Sequence, residues 1–91
     1  MILKPVSDGS VVGTGTLSFE SMTLGGVLIT ANGTNDATVT LQKDNSSGLK
    51  VFDIVTKSPI FVAGPIRINS PAGYYSVSGT GSGCQFYEWV E

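Results

Sequence analysis

Apolar and polar residues alternate along much of this chain, the two-residue period of a strand with one buried face. Thr16-Leu17-Ser18-Phe19-Glu20 and Ala37-Thr38-Val39-Thr40-Leu41-Gln42 alternate cleanly, while Val27-Leu28-Ile29-Thr30-Ala31 is a continuous apolar run. No window sustains apolar residues at the i, i+3, i+4, i+7 spacing of an amphipathic helix. Further strand-like runs are Leu49–Val55, Pro59–Ala63 resumed at Ile66–Ile68, Tyr74–Ser78 and Cys84–Val90. Turn-forming residues separate them: Asn32–Asp36, Asp44–Gly48 and Asn69–Gly73. The pattern predicts an all-β fold, an antiparallel β-sandwich or jelly-roll-like small barrel of about seven to eight strands. Residues 1–15, with Ser7-Asp8-Gly9-Ser10 and Gly13-Thr14-Gly15, lack a hydrophobic face and are expected to form an extended arm. Residues 16–91 are expected to form a single sandwich domain.

The segment Gly79-Thr80-Gly81-Ser82-Gly83 resembles a phosphate-cradling loop only in its glycines. Such a loop needs a following helix whose free N–H groups converge on the anion. Here an aromatic strand-like run follows, and no lysine. The expectation is a turn between two strands of a terminal hairpin, where glycine supplies positive φ.

Composition narrows the functional classes. The 91 residues carry a formal net charge of −2 and no histidine. The basic field needed for non-specific nucleic-acid binding is missing. Charged residues make up 13% of the chain, about half the usual share. A strand-rich chain of so little charge favours association with other protein. The N-terminal apolar stretch is too short for a signal peptide and no run approaches a membrane span, so a soluble protein is expected.

Chemistry-bearing residues are sparse. Cys84 is the one cysteine and begins an apolar strand, where a buried, inert thiol is expected. Asp36, Asp44 and Asp53 could supply a carboxylate pair for a glycan hydrolase, but nothing in their spacing marks two as partners. The segments around Asp36 and Asp44-Asn45 lack the dense oxygen ligands of a calcium loop and read as Asx turns. No catalytic, metal-binding or cofactor-binding residue is expected, and no cofactor. The aromatic C-terminal run leaves two orientations open: Phe86 inward with Tyr87 and Trp89 forming an outer contact surface, or Tyr87 and Trp89 in the core with Glu88 in water.

Two segments, NDATVTLQKDNSSGLKVFDIV (35–55) and GPIRINSPAGYYSVSGTGSGCQFYEWV (64–90), resemble a group of small phage virion proteins of about this length. The resemblance is carried by the strand Ala37–Leu41, the turn Asp44–Gly48, Ile66–Ile68 with Gly73–Tyr75, and Ser78–Gly81. The ending QFYEWVE is more aromatic than is usual in that group. The resemblance implies a structural β-sandwich of the particle, a capsid decoration or cement protein or a tail or fibre component. On this basis the chain is expected to be a non-enzymatic virion protein, assembled in the host cytoplasm, that stabilises the capsid shell. Its expected partners are the major capsid protein and its own copies, as a homotrimer, with no nucleic acid and no membrane. Expected contact residues are Lys4, Pro5 and Val6 in the arm and Tyr75, Tyr87 and Trp89 in the domain. The alternative is a tail-fibre or spike module that binds host glycan through aromatics and the loops Asn32–Asp36 and Asp44–Gly48.

Overall fold

The computed structural model describes residues 2–7 and 9–91. Met1 and Asp8, both within the expected arm, lie outside the described residues. Eight strands form: β1 (Ile2–Pro5), β2 (Gly13–Ser18), β3 (Thr23–Thr30), β4 (Ala37–Lys43), β5 (Lys50–Thr56), β6 (Ile60–Arg67), β7 (Ala72–Ser78) and β8 (Gly83–Val90). They build two four-stranded antiparallel sheets, β1-β8-β3-β6 and β2-β7-β4-β5.

The pairing joins the first strand to the eighth, the second to the seventh, the third to the sixth and the fourth to the fifth. The chain thus runs out and back as one long ribbon that folds over on itself, the order of a jelly roll. Only β4 and β5 are both consecutive and paired. The expected terminal hairpin is therefore corrected: β7 and β8 belong to different sheets, and Gly79–Ser82 crosses between them. The need for glycine there survives the correction. Gly79 and Gly81 have φ of 114° and 75°, and a Cβ on Gly79 would overlap the Asp36 carbonyl oxygen.

The expected arm is also corrected for its described residues. Ile2–Pro5 pairs with β8 from Val90 back to Tyr87. Val6 N–H then donates to Phe86 O at 2.9 Å, and Val11 N–H to Cys84 O at 2.7 Å. The segment carries apolar side chains after all, Leu3 beside Trp89 and Val6 and Val11 against the core, and β8 offers it a row of backbone partners. β2, at 13–18, spans the boundary expected at residue 15. Proline sits on both outer strands of one sheet, Pro5 in β1 and Pro65 in β6, where a missing N–H costs no ladder bond.

The inner faces enclose Leu24, Val27, Ile29, Val39, Leu41, Cys84 and Phe86, all fully buried. Phe86 lies at the centre, with the rings of Phe52 and Tyr75 at 6.2 and 6.3 Å between centroids. Replacing such a buried phenylalanine by alanine typically costs about 3–5 kcal/mol.

Candidate functional site

β8 settles the orientation that the sequence left open. Cys84, Phe86 and Glu88 face inward, and Gln85, Tyr87 and Trp89 face outward. Glu88 is nevertheless buried, only 3% exposed. Its Oε1 accepts from the N–H groups of Glu20 and Ser21 at 2.8 and 2.9 Å and from the Ser21 hydroxyl at 3.2 Å. A carboxylate can close this end of the core because the turn after β2 turns its free donors toward it.

Around Tyr87 and Trp89 the outer face of the β1-β8-β3-β6 sheet is apolar. Leu3 lies opposite Trp89 and Pro5 opposite Tyr87. Leu28, next to Gln85, and Phe61 beyond it continue the surface across β3 and β6. Leu3 is 40% exposed, Leu28 36% and Phe61 50%. Two glycines let the rings lie close to the strand. A Cβ on Gly25 would stand 2.9 Å from the Trp89 indole and overlap Leu3, and one on Gly26 would overlap the Phe61 ring. The irregular register between Leu24 and Gly26 turns both glycines toward these rings. Phe61 and Tyr87 are 6.3 Å apart across Gly26.

The other outer face has a different chemistry. Thr14, Thr16, Tyr74, Ser76, Thr38, Thr40 and Gln42 point outward from the β2-β7-β4-β5 sheet. Asp53 at its edge accepts from Thr40 at 3.2 Å and pairs with Lys50 at 3.2 Å.

The expected contact residues divide accordingly. Tyr87, Trp89 and Pro5 lie on the apolar outer face, and Lys4 pairs with Glu20 at 3.1 Å along its rim. Val6 is half-buried against the core. Tyr75 is the correction: it faces inward, opposite Gly15 and Leu41, and packs against Phe86. The reason is Gly15, where a Cβ would stand 2.6 Å from the Tyr75 hydroxyl oxygen, so the missing side chain makes the space for the ring. Leu28, Phe61, Leu3 and the buried Glu88 were missed. The first three sit at alternate positions in apolar runs, where sequence alone does not tell inner face from outer.

The loops Asn32–Asp36 and Asp44–Gly48, paired in the glycan alternative, lie at opposite ends of the sandwich, one after β3 and the other after β4. The Asx turns form on the neighbouring asparagines: Asn32 Oδ1 accepts from the N–H groups of Thr34 and Asn35, and Asn45 Oδ1 from Ser47. Asp44 instead accepts the hydroxyl of Ser70. Cys84 is fully buried, and desolvation pushes its thiol up to about 12. Among the described residues no three His, Cys, Asp or Glu side chains gather as a metal site.

No family model, curated protein or solved structure matches the chain.

Proposed function

We propose that this chain is a non-enzymatic structural protein of a phage particle, a decoration or cement protein that attaches to the capsid shell through the outer face of the β1-β8-β3-β6 sheet. The observation that carries the reading is the contiguous apolar surface of Leu3, Tyr87, Trp89, Leu28 and Phe61. Contiguous exposed apolar surface on a small protein marks a place where other protein binds, and aromatic residues dominate such contacts. Burial at about 25 cal/mol per Å² supplies the drive, and repetition over a lattice multiplies modest single-site affinity. Jelly-roll topology is common among capsid proteins, which agrees with the reading by analogy. The resemblance of residues 35–55 and 64–90 to phage virion proteins points the same way.

The test is co-sedimentation with phage shells assembled without the protein, beside light scattering of the protein alone. The reading predicts saturable binding at a fixed ratio to capsid subunits, and a trimeric mass in solution. Shells that sediment without it overturn the decoration role, and a monomeric mass removes the trimer.

A further inference from the structure

At one end of the same outer face lies a groove of about 570 Å³, lined by Ser21, Thr23, Pro65, Arg67, Trp89 and Glu91, among others. Its size falls in the range that holds small ligands. Trp89 comes from β8, Thr23 from the adjacent β3 and Arg67 from β6, where Arg67 stands directly opposite Thr23. With strands about 4.8 Å apart, the β8 and β6 backbones that carry Trp89 and Arg67 stand roughly 10 Å apart. Arg67 is exposed, and among the described residues it forms no ion pair. The Ser21 hydroxyl is committed to Thr23 O and Glu88. The other lining residues that carry a polar or aromatic side chain are Thr23, Arg67, Trp89 and Glu91.

We infer that this groove is a binding site for an acidic saccharide, a sugar ring bearing a carboxylate. The apolar face of a pyranose lies on the Trp89 indole, its carboxylate reaches Arg67, whose planar fork matches a carboxylate in two parallel hydrogen bonds, and its hydroxyls donate to Glu91. The mixed charge decides among ligands. A polyphosphate or nucleic acid would bring several negative charges against Glu91, whereas a polyhydroxylated acid uses both a donor and an acceptor. The site shares Trp89 with the proposed shell-binding face, and unlike the glycan alternative it uses neither the Asn32–Asp36 loop nor the Asp44–Gly48 loop.

Trp89 is the only tryptophan, so intrinsic fluorescence reports on the groove directly. The experiment titrates the full chain with a disaccharide ending in glucuronate, and with the same disaccharide ending in glucose. A saturating fluorescence change is expected with the first. The glucose form should bind about tenfold more weakly, the worth of one charge-assisted pair. Arg67→Gln, at an exposed position that leaves the fold intact by circular dichroism, should lower glucuronate affinity by about tenfold and leave the glucose form unchanged. No saturable change in fluorescence or in amide shifts of β6 and β8, or equal affinity of parent and Arg67→Gln, overturns the site. Tighter binding of a glutamate-rich hexapeptide than of the disaccharide overturns the saccharide assignment.

Discussion

The two outer faces of this sandwich are built on sheets of equal strand number, yet one is covered by rings and aliphatic chains and the other mostly by hydroxyls, with Val55 its exposed apolar residue at the β5 edge. Neither difference is needed for the core, which both sheets enclose from the inside. A solvated sheet face reads as the polar half of an alternating pattern, and the β2-β7-β4-β5 sheet obeys that rule with Thr38 and Thr40 between Ala37, Val39 and Leu41. The β1-β8-β3-β6 sheet breaks it with Leu28 between Val27 and Ile29, and with Tyr87 and Trp89 beside Phe86 and Glu88. Water is enough for the first face, while the second leaves rings and aliphatic chains exposed, the feature on which the proposed attachment rests.

Adjacent tyrosines give the largest contrast. Tyr75→Ala removes a ring packed on Phe86 and should cost about 2–4 kcal/mol. Tyr74→Ala, on the hydroxyl face, should cost about 0.5 kcal/mol or less, both read from urea unfolding. Equal costs would mean that β7 is turned over. Next is Glu88→Gln, which keeps the shape but weakens acceptance from three donors and should lower stability by about 1.5 kcal/mol. An unchanged midpoint would place that carboxylate in water.

How much of this was legible beforehand follows from the same contrast. Alternation found most of the strands, because burial of one face writes a period of two into the sequence; Ala37–Lys43 is nearly the run expected, while β1 and the start of β2 were read as arm. It could not find the partners, because pairing in this topology joins residues far apart, as Ile2 with Val90, and nothing local encodes that. The terminal glycines illustrate the limit. Positive φ at Gly79 and Gly81 is a local property and was foreseen, but whether the turn stays in one sheet or crosses to the other depends on the whole ribbon. For the site, Tyr87 and Trp89 stood out by residue type, whereas Leu28 and Phe61 were hidden in runs indistinguishable from core, and Glu88 looked like a surface charge.

Smaller effects sharpen the comparison further. Leu28→Lys with Phe61→Lys, both exposed, should shift unfolding by only about 0.5 kcal/mol per site while reducing binding of an apolar fluorescent dye. Thr16→Lys with Thr40→Lys should leave dye binding as it is. A pH-dependent effect belongs to the inner face. Cys84 stays protonated in the fold to about 12 against a usual 9.0, so the unfolded chain loses its proton first. The thiol's contribution to stability is therefore whole below pH 9 and declines as pH rises from 9 toward 12. Chemical unfolding at pH 8 and pH 10.5 should show a steeper loss in the parent than in Cys84→Val; parallel losses would mean that the thiol is hydrated.

The claim that the apolar face is the attachment surface is tested most directly by repeating shell co-sedimentation with the two lysine pairs side by side. The account predicts that Thr16→Lys with Thr40→Lys sediments with shells as the parent does, while Leu28→Lys with Phe61→Lys, folded by circular dichroism, stays in the supernatant. Equal binding by both pairs, or loss only in the threonine pair, would contradict it.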